Sequence, residues 1–179
     1  MTTSEQTLKA GSWPLDTAHS AVNFTVRHLG ISKVRGRFNR FETSFVVDDS
    51  GAARISATIH LDSFDTGNAD RDAHVRSADL LHVEQRPTLT FTATEPVRVA
   101  EDFQVVGEVA IGEHRHPITL DVEWGGLQVF PATGDRHIGF TATGSLKRTD
   151  FGVGAGIPSA MLSDKIAIEL DIQLIEPKD

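Results

Sequence analysis

From Ser20 to His28 polar and apolar residues alternate with a period of two. Side chains of an extended strand point to opposite faces in turn, so Ser20, Val22, Phe24, Val26 and His28 share one side. Asn23, Thr25 and Arg27 share the other, which suits water. The first face is apolar in the middle and polar at both ends, as the wall of a greasy interior with a polar mouth would be. The same period returns over residues 54–63, where Ile55, Ala57, Ile59 and Leu61 alternate with Ser56, Thr58, His60 and Asp62. It is cleanest near the C-terminus, where Ile166, Ile168, Leu170, Ile172 and Leu174 form one wholly aliphatic face. With further runs over 34–48, 88–95, 103–111, 117–124 and 137–146, the pattern predicts eight strands.

Turn-forming clusters such as Asp48-Asp49-Ser50-Gly51 and Ala132-Thr133-Gly134-Asp135 separate the runs, so the links are short and neighbouring strands antiparallel. Within 34–48 the phase of the large residues changes, and a bulge near Asn39-Arg40 would reconcile the two halves and bend the strand. The exception to the β pattern is 68–81, with an Asn start and good helix formers, which predicts a short helix over 69–77 with Leu80 and Leu81 packed against the sheet. Residues 150–158 form a glycine-rich connection. Eight antiparallel strands, each with one apolar face, close either as a barrel or as a two-sheet sandwich, and the long strands favour the all-β barrel. Such a barrel is either filled by its own side chains or holds one small ligand.

The chain has 179 residues, which fits a polar N-terminal tail over 1–10 and a single domain over 11–177. Hydrophobic residues make up 39% and charged residues 23%, an ordinary globular balance, and no run of about 18 apolar residues predicts a membrane-spanning helix. The start of the chain has neither a basic nor an apolar stretch, so it reads as a cytoplasmic protein. Cysteine is absent, which removes disulfides and thiolate chemistry. The net charge of −8, with cations scattered among acids along the sequence, argues against nucleic acid as a partner.

A set of short motifs runs in order along almost the whole chain: Trp13-Pro-Leu-Asp16, His19-Ser20, Phe24, His28, Gly36, Phe38, then Asp62-Ser63-Phe64-Asp65-Thr66-Gly67 and Arg71-Asp72 with His74. Pro87, Phe91, Pro117, Leu120, Gly139-Phe140, Arg148-Thr149-Asp150-Phe151-Gly152 and Asp164 complete it. In these residues the chain resembles the YceI-like family of polyisoprenoid-binding, lipocalin-like proteins. The resemblance implies an eight-stranded antiparallel lipocalin-like barrel with a small helical insertion around a tunnel for a polyisoprenoid, such as a polyprenyl phosphate or isoprenoid quinone. It implies storage, sequestration or transport rather than catalysis, no cofactor, and is compatible with a homodimer.

The residues expected to line such a tunnel are Val22, Phe24, Val26, Phe38, Ile59 and Leu61, together with Phe64, Phe91, Phe140, Phe151 and Leu162. The plainer alternative is that they fill a dry core. Ten phenylalanines against no tyrosine supply aromatic bulk without hydroxyls that need partners. Ser20, His28, Arg71 and His74 are the candidates for a mouth or head-group site. The plainer reading of this cluster is that Arg71 and Asp72 lock the helix onto the barrel by hydrogen bonds. His114 and His116 would point the same way in an extended segment, a spacing that serves a metal when further ligands converge. A solvated turn is the simpler reading, and no metal is assigned. No nucleophile motif or phosphate-cradling loop is present. Two rivals remain: a metal-assisted or acid–base enzyme acting on a hydrophobic substrate, and a packed barrel that serves as a protein-interaction module.

Overall fold

The computed structural model describes residues 5–178. The opening alternation forms β2 (Ala21–His28), preceded by a two-residue strand β1 (Gly11–Ser12) and followed by β3 (Ser32–Phe38). The run expected over 34–48 is divided at Asn39-Arg40, so its second half is a separate strand, β4 (Phe41–Val47). β5 (Ala53–His60) and the two-residue β6 (Phe64–Asp65) lead into the helix α1 (Ala69–Arg76). The remaining strands are β7 (Thr88–Ala93), β8 (Asp102–Ile111), β9 (His114–Val129), β10 (Arg136–Lys147) and β11 (Lys165–Ile175). All pair antiparallel in a single curled sheet ordered β1-β4-β5-β7-β8-β9-β10-β11-β2-β3-β6. The eight predicted strands are thus present, with the second one broken and two short strands added.

The break has a structural purpose. β3 and β4 follow each other in the chain yet stand near opposite ends of the strand order, so the turn through Asn39-Arg40 carries the chain across the seam. Both residues are tied there: the Asn39 N–H donates to the Ser63 carbonyl at 3.1 Å, and the His60 N–H donates to the Arg40 carbonyl at 3.0 Å. The N-terminal segment spans a second part of the seam, because Gly11-Ser12 pair with β4 while Leu15 bridges to Leu174 of β11. Trp13 is buried between them, and its indole N–H donates to the Lys9 carbonyl at 2.9 Å.

Residues 1–4 of the expected N-terminal tail lie outside the described residues. The rest of it is docked: Glu5 bridges to Ala100, Gln6 donates to the Val99 carbonyl, and Leu8 joins the core. The helix begins as its sequence predicts, with the Asn68 side chain accepting from the Arg71 N–H at 3.0 Å. It stops at Arg76, one residue short of the expected end. Its buried face carries Asp72, whose carboxylate accepts from the Thr66 N–H and hydroxyl and so fastens the helix to the end of β6. No helix among the described residues is long and apolar enough to cross a membrane.

Candidate functional site

The inner faces of the curled sheet enclose a cavity of about 540 Å³. Its walls are the alternating residues already singled out: Val22, Phe24 and Val26 of β2, Ile59 of β5, Phe91 of β7 and Phe140 of β10 all line it. Phe38, Leu61, Phe64, Phe151 and Leu162 do so too, so every expected lining residue is on the cavity wall. β9 adds Ile118, Leu120 and Val122, and β11 adds its whole aliphatic face from Ile166 to Leu174. The lining is almost entirely apolar, and its volume lies within the range of small-molecule sites rather than of packing defects.

Room for this cavity wall depends on three inward-facing glycines. A Cβ at Gly36 would overlap the Phe24 ring, and one at Gly107 would overlap the Phe91 ring. At Gly144 it would stand 2.9 Å from a Leu120 methyl. Large rings thus lie across strands at positions where the neighbour has no side chain, and the sheet keeps its curl without losing aromatic lining. Phe24 also stacks on Phe64 at 5.2 Å and meets Phe38 at 5.5 Å, forming an aromatic cluster beside the seam.

One end of the cavity is polar and open. Its exposed lining residues are His28 at the end of β2, Arg71 and His74 on α1, and Met161 in the connection before β11. Arg71 is partly committed, since its Nε donates to the Thr66 hydroxyl at 2.8 Å and its Nη2 to the Thr66 carbonyl at 3.1 Å. His74 lies 3.5 Å from Asp79. Ser20 is placed elsewhere: its hydroxyl accepts from the Gln173 N–H at 3.0 Å, and it is outside the cavity lining. The regular strand carries it away from His28, and the edge of β11 takes its hydroxyl.

Arg148 is the residue whose role the sequence does not reveal. It is buried, and its guanidinium donates to five backbone carbonyls, those of Val153, Gly154, Ile157, Leu162 and Ser163. Asp164 stands 3.2 Å away and balances the charge. The glycine-rich connection is therefore wrapped around one side chain, which sets Ile157, Met161 and Leu162 over the open end. Arg86 makes a similar clasp on the other side, donating to the carbonyls of Leu80, Leu81 and Phe151. Burial pushes its pKa below the usual arginine value. Thr43 of β4 carries no sign of such a place in the sequence: it lines the cavity, and its buried hydroxyl has no hydrogen-bond partner among the described residues.

His114 and His116 lie at the start of β9. His116 approaches Asp150 at 3.8 Å and sets its ring edge against Phe151, while the His114 ring packs beside Gly152. No group of three or more histidine, aspartate or glutamate side chains converges as a metal site among the described residues.

The family model for the YceI-like domain matches residues 13–174, which takes in every strand from β2 to β10 and nearly all of β11. Protein YceI of Escherichia coli is 32% identical over 162 residues, covering 89% of this chain and 83% of the relative. The crystal structure of a Campylobacter jejuni YceI protein superposes with a TM-score of 0.74 at 28% identity, over 85% of this chain and 90% of that one. A polyisoprenoid binding domain from Saccharophagus degradans shares the fold, with a TM-score of 0.71 at 20% identity over 93% and 99% of the two chains. The chain belongs to the YceI-like domain family.

Proposed function

We propose that this protein binds a long apolar lipid chain inside the curled sheet, with any polar end of the ligand at the mouth formed by His28, Arg71 and His74. The observation that carries the reading is the cavity of about 540 Å³, apolar along its length and polar at one end. A hydrocarbon chain needs no directional partner. Burial contributes roughly 25 cal/mol per Å², or about 0.8 kcal/mol per CH₂, so a few isoprene units outweigh the cost of association. A polyisoprenoid suits the site because its branch methyls fill irregular apolar space between phenylalanine rings. The polyisoprenoid binding domain from Saccharophagus degradans, which has the same fold, supports this class of ligand. The role is carriage or sequestration rather than catalysis.

Organic extraction of the purified protein followed by mass spectrometry is the test. A co-purified prenyl lipid, or stoichiometric uptake of an offered polyprenol, is the expected result. Repeated failure of both, with the cavity still open to a small fluorescent hydrophobe, would overturn the reading.

A further inference from the structure

The turn joining β2 to β3 breaks two rules of soluble hairpins at once. Its central residues are Leu29 and Gly30, both with left-handed backbone angles, φ 55° and φ 69°, and the Ile31 N–H closes the turn on the His28 carbonyl. Such a turn favours Asn-Gly, because a bulky residue pays in steric strain for a positive φ. Leucine is held there all the same, half exposed. Ile31 beside it is 84% exposed, and Met161, whose carbonyl accepts from the Leu29 N–H, is 49% exposed. Three large apolar side chains therefore project together from the rim of the cavity, since Met161 and His28 are themselves part of its lining.

Cations surround this tip on the outer face of the sheet. Arg27 stands directly opposite Lys33, and Arg35 follows two residues on. On the neighbouring strands Lys147 stands directly opposite Lys165. The Ser163 N–H donates to the Arg27 carbonyl, which brings the start of β11 level with the end of β2. The five side chains are exposed, and none forms an ion pair among the described residues. Like charges placed across from each other destabilise a sheet. A chain with a net charge of −8 nonetheless gathers them at one end, leaving the remainder more acidic still.

We infer that the β2–β3 tip is a docking element for an anionic phospholipid bilayer, with Leu29, Ile31 and Met161 entering the interface and the five cations facing lipid head groups. Apolar tip and basic collar together match the two forces that hold a peripheral protein on such a surface. The acidic remainder of the molecule is repelled, which orients the cavity mouth toward the bilayer. Docking in this orientation puts the mouth where a lipid could pass between membrane and cavity. That last step rests on the proposed lipid binding, whereas docking itself needs no cargo.

The test is sedimentation of the full chain with vesicles of phosphatidylcholine containing roughly one quarter phosphatidylglycerol, against vesicles of phosphatidylcholine alone. Binding to the anionic vesicles is expected, weakening steeply as salt shortens the Debye length from about 10 Å at 0.1 M to about 3 Å at 1 M. Leu29→Asn combined with Ile31→Ser should weaken it by about tenfold or more. Each of Lys33→Gln, Arg35→Gln and Lys165→Gln should weaken it by about fivefold. Asparagine accepts the left-handed angle, so Leu29→Asn should unfold at no lower denaturant concentration than the parent. Ile31→Ser tests the same point at a residue that is 84% exposed. Equal binding to both vesicle types, or none at low salt, would overturn the inference. So would unchanged binding of the tip variants, or a tip that only pairs two copies of the chain by light scattering. Uptake of polyprenol is measured separately, so loss of one behaviour without the other tells the two readings apart.

Discussion

Phe24 lies directly across from Gly36 on the neighbouring strand, and its ring occupies the place where a Cβ of residue 36 would stand. The Asp65 carbonyl of β6 and the methyl of Thr66 just after it close the same space, so a side chain there cannot escape sideways. Gly36→Ala should therefore displace Phe24 from its stack on Phe64 and destabilise the fold by about 1–3 kcal/mol, the range for overpacking a fitted interior. Urea unfolding of the variant measures this. A second change, Phe24→Leu in the Gly36→Ala background, should recover part of the loss because it removes the ring that clashes.

Ala142 sits on β10 between Leu170 of β11 and Val122 of β9, all three on the cavity wall. Replacing it by phenylalanine puts a ring into the open interior rather than into packed neighbours. Ala142→Phe should keep the strand content, seen by circular dichroism, and lower the stoichiometry of bound hydrophobic probe. Undiminished probe binding would mean that the probe sits outside the cavity.

Much of this architecture is legible in the sequence because a period of two survives whatever the strands pair with. The aliphatic alternation of β11 and the polar–apolar alternation of β2 appear in the structure on the faces their spacing assigns. The phase change at Asn39-Arg40 also announces itself, although its meaning as a seam crossing needs the partner strands. Other features leave no such trace. β9 runs to Val129, well past the expected end at 124, because pairing with β10 slips by one residue at Gly125, a bulge, and resumes with Gly126 opposite Gly139, where alternation stops. Leu8 is one apolar residue in a polar stretch, so its burial was invisible. Arg148 reads as an ordinary cation because the groups that hold it are backbone carbonyls, which carry no sequence signature.

Those carbonyls make Arg148 sensitive even to lysine. The guanidinium fork reaches five acceptors, whereas an ammonium has three donors and no fixed plane. Arg148→Lys should loosen the connection over 152–162, and Arg148→Met should cost about 1–3 kcal/mol or more by leaving the five carbonyls without their donor, while the partly exposed Asp164 turns to water. Hydrogen exchange should show the loss of protection concentrated at Val153, Ile157 and Leu162, whose carbonyl or N–H groups depend on that wrap. Uniform loss across the sheet would instead mark Arg148 as part of the global core.

Asp65 ties the same seam by charge. Its carboxylate accepts from the Asn39 amide at 3.1 Å and from the Gly67 N–H at 2.9 Å, and these bonds hold its pKa below the usual 3.8. A carboxyl with a depressed folded pKa contributes its full stabilisation above the unfolded value and loses it as pH falls through the folded one. The Asn39 and Gly67 amide protons should therefore keep their chemical shifts from neutrality down to about pH 4 and move only below it. In Asp65→Asn that acid transition should vanish while the rest of the titration remains.

Thr43 offers the opposite case, a polar group with nothing to hold. Its hydroxyl is buried on the cavity wall without a hydrogen-bond partner among the described residues, beside Phe41 and Phe45 of its own strand and Ala57, its partner on β5. Leaving such a group unsatisfied costs about 1–3 kcal/mol, whereas valine fills the same volume with a methyl. Thr43→Val should accordingly raise the stability of the empty protein by about 1 kcal/mol. The gain should grow smaller, or reverse, when the protein is loaded with a ligand that carries a hydrogen-bonding oxygen along its chain, and persist with a plain hydrocarbon. Denaturation of both variants in both states measures the difference, and a stability gain independent of ligand chemistry would show that this hydroxyl takes no part in recognition.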